Sequence, residues 1–196
     1  MKHIAFASAL VLALLPAGLA QANSLVAPGE HTGIAKSSIA TSSTGEWNKL
    51  SQTDGPAVEV WTRDGDNLNK VSFFGGIAVG APIYREKNRK EMPLPKVAAN
   101  MLLPDIPALL EATYRSQYQV NRISIDSQDV TTVNGKQAIR FTYTYVRGED
   151  EVERKGEAVG ALANNKLYMV TYEAPAIYFF GKDLEDFRRI SQTLKF

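Results

Sequence analysis

Two dipeptides, Asn134-Gly135 and Asn164-Asn165, sit between runs of alternating apolar and polar residues and constrain this chain more than any other feature. A two-residue turn of the I′ kind needs positive φ at both central positions, which Asn and Gly tolerate, and its twist matches that of a hairpin. Four strand-like runs are separated by these two dipeptides and by the acidic turn Gly148-Glu149-Asp150: Tyr118 to Val130, Lys136 to Val146, Val152 to Ala163 and Leu167 to Glu173. In the second run Ile139, Phe141, Tyr143 and Tyr145 share one face, while Arg140, Thr142 and Thr144 share the other. The runs are expected to be antiparallel neighbours, because a parallel pair needs a crossover of a dozen or more residues.

Upstream, Val58, Val60 and Trp61 suggest a strand, and Asp64-Gly65-Asp66-Asn67 supplies the turn onto a second strand from Leu68 to Phe74. A helix is expected from Pro104-Asp105, with Asp105 as its cap and Ile106, Leu109, Leu110, Thr113 and Tyr114 on its apolar face. A last helix is expected to be capped by Asp183 and to bury Leu184, Phe187, Ile190 and Leu194. Strands therefore run together instead of alternating with helices. That order predicts an α+β fold, an antiparallel sheet of one hairpin plus a four-strand meander, flanked by two main amphipathic helices.

The N-terminal 22 residues read as a secretory signal, expected to be cut after Ala22. Lys2 starts it, Ile4 to Leu15 forms an apolar run broken only by Ser8, and Ala20-Gln21-Ala22 is a small-x-small cleavage site. The run is too short to span a membrane, which takes about 20 residues. Asn23 to Gly45 has no apolar periodicity, and six of the eight residues from Ser37 to Thr44 are Ser or Thr. It is expected to be a flexible leader, with a single domain over residues 46–196. A periplasmic or secreted location follows from this reading.

Charge and composition narrow the chemistry. The chain has 22 basic and 21 acidic side chains, and removal of Lys2 with the signal leaves 21 of each. That balance excludes the basic footprint of a nucleic-acid binder. With no cysteine there is no disulfide framework, thiolate metal site or cysteine nucleophile.

The order of elements from Trp47 to Phe196, with Trp47 and Trp61 ahead of the first hairpin and an amphipathic helix at the end, resembles the PsbP-like α/β/α sandwich. The runs Val60-Trp61-Thr62-Arg63-Asp64-Gly65, Arg154-Lys155-Gly156-Glu157-Ala158 and Leu167 to Pro175 also look like those of a group of exported proteobacterial proteins of unassigned activity. The resemblance implies an accessory or binding role without a shared active site, so it transfers no catalytic residue.

The search for chemistry among the residues gives little. His31 is the one histidine beyond the signal, and it lies in the segment expected to be loose, where nothing would orient it against a nucleophile. Asp64, Asp66 and Asn67 have the wrong spacing for a calcium loop, and Asn134-Gly135-Lys136 lacks the rest of a phosphate loop. The charged stretch Arg85 to Glu91 carries both signs and is expected to be an exposed loop. No metal site or cofactor is expected.

Two leads remain. Glu157 and Glu173 fall on strands expected to be neighbours, where a carboxylate pair could serve hydrolysis, but the expectation for Glu157 is a cross-strand pair with Arg140 or Arg154. Trp61, Tyr168, Tyr172, Tyr178 and Phe180 are candidates for an aromatic ligand pocket between the last strand and the last helix, the alternative being that they are core. The function expected is that of a non-enzymatic, soluble exported accessory or binding protein whose partner is an envelope protein or a small molecule. A carboxylate-based periplasmic hydrolase is the alternative.

Overall fold

The computed structural model describes residues 23–196; the segment expected to be a signal, with Lys2, the Ile4 to Leu15 run and the expected cleavage site Ala20-Gln21-Ala22, lies outside the described residues. Along the chain come Ser24–Val26 (β1), Gly29–Ile34 (β2), Ile39–Ser43 (β3) and Trp47–Lys49 (β4), then the hairpin Val58–Thr62 (β5) and Lys70–Ala78 (β6). The helix Asp105–Gln117 (α1) precedes Val120–Val133 (β7), Lys136–Arg147 (β8), Glu153–Ala163 (β9) and Lys166–Pro175 (β10), and Phe179–Gln192 (α2) follows.

The meander forms as its turns dictate. Asn134 and Gly135 have φ of 47° and 74°, and Asn164 and Asn165 have 52° and 56°, all in the left-handed region that the I′ turn requires. The main sheet has the order β1-β4-β5-β6-β10-β9-β8-β7. Its pairs are all antiparallel. β6 and β10 make the seam that joins the N-terminal strands to the meander. β2 and β3 form a separate hairpin.

Alternation along the strands gives the sheet two apolar faces, and each has its own cover. On one, α1 and the stretch from Ile83 to Val97 close over Phe74, Ile139, Phe141, Tyr143, Leu167 and Met169. On the other, α2 and the β2–β3 hairpin close over Trp61, Phe73, Val159, Val170 and Tyr172. Gly160 lets α1 approach, since a side chain there would meet Ile106. The expected α+β class, antiparallel sheet and two helices are all present.

Three local expectations are corrected. Residues 23–45 are not a loose leader: they hold β1, β2 and β3, with Val26, Ile34, Ala35, Ile39 and Ala40 buried. Bonds to the far end of the chain hold them: Thr41 donates its hydroxyl to the Ile190 carbonyl (2.6 Å), and Lys195 and Ala40 exchange backbone bonds. Order here comes from partners elsewhere in the chain, which no local pattern reveals. Asp105 does not cap α1 with its side chain; Pro104 holds the cap position and the carboxylate accepts from the Leu102 amide at 2.8 Å.

Asp183 does not cap α2 either, because that helix starts four residues earlier, at Phe179. Its side chain instead turns inward. At 3% exposure it accepts from Arg63 (2.6 Å) and Asn69 (2.8 Å), which tie the β5–β6 turn to the helix.

Candidate functional site

The densest concentration of polar chemistry lies under α1. Tyr143 and Tyr145 point from alternate positions of β8 to the same face, Glu173 points up from β10, Lys70 comes from the start of β6, and Tyr114 and Tyr118 come from the last turn of α1 and the residue after it. With Tyr84 these are five of the chain's eight tyrosines. Gly156, opposite both Glu173 and Tyr143 in the register, leaves the room: any side chain there would occupy the place of the Tyr143 ring.

Glu173 is 2% exposed and fully engaged. One oxygen accepts from the hydroxyls of Tyr114 and Tyr143 (the latter at 2.6 Å), and the other from Tyr145 at 3.1 Å, with the Lys70 amine 3.3 Å away. Burial alone would push its pKa up, but Lys70, the phenolic donors and Arg147 outweigh that and hold the carboxyl below its ordinary range. Burial and the neighbouring carboxylate raise the tyrosines Tyr114, Tyr143 and Tyr145 well above theirs. The cluster therefore holds one fixed anion and neutral phenols. A carboxylate with both oxygens so occupied has no free lone pair aimed at a substrate, so its role is to bind α1 to β6, β8 and β10.

Two clefts open at the edge of this cluster. One, of about 270 Å³, includes Asp54, Asp66 and Lys70. The other, of about 630 Å³, is lined by Lys87, Gln117, Tyr118, Gln119, Gly148 and Glu149. Tyr118 links them: its ring lines the larger, and its hydroxyl donates to Asp54 at 3.1 Å in the smaller.

The residues singled out in the sequence are distributed differently. Glu157 and Glu173 do not meet. Glu157 pairs with Tyr172, and Glu173 with Gly156, so the two carboxylates project from opposite faces of the sheet and cannot flank one bond. Glu157 takes the cross-strand partner Arg140 and, from α2, Arg188 at 2.9 Å. It borders a further cleft of about 480 Å³ that also includes Asp129.

The aromatics on the α2 face are packed. Trp61 lies against Phe73, and its indole N–H donates to Glu59 at 2.9 Å. Tyr172 stacks between Phe180 and Phe187 and donates to the Phe179 carbonyl (2.9 Å). Tyr168 stacks on Phe196. Of the five, Tyr178 alone stands out, 70% exposed beside Ile177 at 87%. His31 also has a fixed place, its ring edge-on to Trp61.

Lys70, Tyr114, Tyr118 and Arg147 were missed as site residues. A signal was present: Arg147 continues the parity of Ile139, Phe141, Tyr143 and Tyr145, and a cation on a face otherwise apolar and aromatic marks a place where that face stops being plain core.

No protein-family profile matches this chain, and no curated protein matches it significantly in sequence. Solved structures do match. The solution structure of cyanobacterial PsbP (CyanoP) from Synechocystis sp. PCC 6803 has a TM-score of 0.56 at 14% identity, over 93% of this chain and 98% of that one. The fold is thus PsbP-like, and at that identity the likeness is one of fold alone. Weaker likenesses are to the Ran-binding protein Mog1p of Saccharomyces cerevisiae and to LpqN of Mycobacterium tuberculosis, a protein involved in cell envelope biogenesis. The first has a TM-score of 0.49 at 8% identity, over 89% of this chain and 95% of that one. The second has 0.33 at 8%, over 91% and 86%.

Proposed function

We propose that this protein is an exported accessory protein that acts by binding, released into the periplasm or secreted after cleavage behind Ala22, and that it engages a partner protein through the tip formed by Ile177 and Tyr178. One observation carries the reading. Tyr178 has φ 68° and ψ −61°, and the Phe179 amide bonds back to the Ile177 carbonyl at 2.8 Å, a γ-turn of the rare positive-φ kind. A bulky residue in that conformation costs on the order of 1–3 kcal/mol. Little of that cost is recovered inside the fold, where the Tyr178 ring meets Phe179 edge-on while both side chains stay mostly in solvent, with Leu25, Leu102 and Val130 also exposed elsewhere on the surface. Strain that presents an apolar pair outward is accounted for by a contact made with another molecule.

The test is capture of partners from an envelope extract with wild type, Ile177→Ser and Tyr178→Gly. Tyr178→Gly is expected to raise stability by about 1 kcal/mol, because glycine accepts the positive φ, while capture falls. Capture undiminished in both variants would remove the tip from the account. Intact mass from the envelope should show a chain starting at Asn23.

The rival hydrolase reading has one supporting feature, the cleft at Glu157 and Asp129. Turnover on a glycoside or ester panel that disappears in Glu157→Gln would replace the binding reading.

A further inference from the structure

The 630 Å³ cleft beside Tyr118 is of the size that small-molecule sites have, roughly 300–1,000 Å³. Behind its Tyr118 wall lies an unusual cation. The guanidinium of Arg147 sits against the rings of Tyr118 and Tyr145, 5.0 and 5.9 Å from their centres. Among the described residues it makes no direct ion pair, and its Nε is shielded from solvent without a partner.

The neighbouring cations already have carboxylate partners. Lys70 pairs with Glu173 (3.3 Å), Arg154 with Asp150 (2.5 Å) and Lys87 with Asp54 (3.7 Å), while Arg147, half-buried, acts on Glu173 only from a distance and makes no ion pair of its own. Leaving a cation in that condition is costly unless an anion completes it. A second donor is stranded at the same place: Gln117, which lines the cleft from the last turn of α1, has its side-chain N–H group shielded and unpartnered. Between the two donors the chain turns at Gln119 with φ 47°, a conformation uncommon for a residue with a side chain.

We propose that this cleft binds a small organic carboxylate, with Arg147 as the recognising cation, Gln117 as a second donor and Tyr118 as the wall on which the body of the ligand rests. A guanidinium stacked on aromatic rings has its faces occupied and offers its edge, and that edge fits the two in-plane oxygens of a carboxylate. The Glu149 carboxylate, which also lines the cleft, repels the dianion of phosphate more than it does a monoanion. The polar lining from Gln117, Gln119 and the Gly148-Glu149 turn suits a ligand with hydroxyl or amide groups around a flat or cyclic body. This site is independent of the Ile177–Tyr178 tip and stands or falls separately from it.

Benzoate, glucuronate and inorganic phosphate are titrated into the purified protein, with binding followed by amide NMR shifts and by calorimetry. At least one of the two carboxylates should saturate below about 10 mM, with shifts concentrated at 117–119 and 147–149. Arg147→Met, which keeps the aliphatic stem, should weaken that binding at least tenfold, and Arg147→Lys should recover only part of it, because a lysine amine lacks the paired edge. If Arg147→Met fails to fold by circular dichroism, Gln117→Ala decides, with a loss of several-fold expected. The proposal is overturned if neither carboxylate saturates, if phosphate binds as tightly as the better carboxylate, or if the folded variants bind as wild type does.

Discussion

On the α1 face, Tyr143 and Tyr145 aim their hydroxyls at a buried carboxylate; on the α2 face, Tyr172 lies flat between Phe180 and Phe187 and its hydroxyl goes to backbone. Both are interiors of one sheet, built from alternate residues of the same strands. They differ in what a lost atom does. An apolar face loses contact area in proportion to what is removed. A polar interior works as a unit, because removing one partner leaves the others desolvated and unpaired.

The largest expected effect tests that contrast directly. Glu173→Gln hardly changes volume, yet it removes the anion that Lys70 and three phenols surround, and should cost about 3–5 kcal/mol in urea unfolding. A cost below about 1 kcal/mol would mean that the α1 face is held together by packing in the same way as the other face.

Glu173 also sets a pH signature. Its folded pKa lies below its unfolded one near 4.5, so its contribution is present above that pH and is lost as the pH falls through the folded value. Stability of wild type should decline below about pH 4.5 with a steeper slope than that of Glu173→Gln. The tyrosines act at the other end. Their folded pKa values lie above the ordinary 10, so stability should fall as the pH rises past about 10, where the unfolded chain ionises first. Absorbance of phenolate near alkaline unfolding checks this.

Gly135→Val comes next in size, at about 1–3 kcal/mol, and separates backbone strain from both interiors. A side chain at Gly135 would meet nothing within 4 Å, so its φ of 74° is the entire cost, and Gly135→Asn should cost less. Equal melting temperatures for Gly135→Val and wild type would contradict the turn. Smallest is Phe187→Leu on the α2 face, expected to cost about 1–1.5 kcal/mol because the cavity is partly refilled. If it exceeds Glu173→Gln, the contrast between faces is reversed.

What could be read from the sequence followed locality. The β7 to β10 meander was legible because Asn134-Gly135 and Asn164-Asn165 declare their geometry within two residues. The β1 to β3 segment was not, because Thr41 and Ala40 are ordered by Ile190 and Lys195 at the other end of the chain. Among site residues, the error over Glu157 and Glu173 was avoidable. A two-residue turn at Asn164-Asn165 fixes the register so that Glu157 faces Tyr172, and a one-residue offset sends Glu173 to the opposite side. The tyrosine cluster needed tertiary structure, since Tyr114 reaches Glu173 only once α1 has packed on the sheet.

The seam between β6 and β10 has a kinetic consequence. Lys70 pairs with Glu173 and Phe73 with Val170, so the middle of the sheet zips together residues roughly a hundred positions apart, after the β7 to β10 hairpins have every opportunity to form on their own. Ordering so long an intervening segment is an entropic toll collected before the seam gives anything back. Refolding should therefore be slow for a chain of this size, with the meander gaining protection against hydrogen exchange ahead of β5 and β6. Pulse-labelling during refolding would show this order, and simultaneous protection of both halves would refute it.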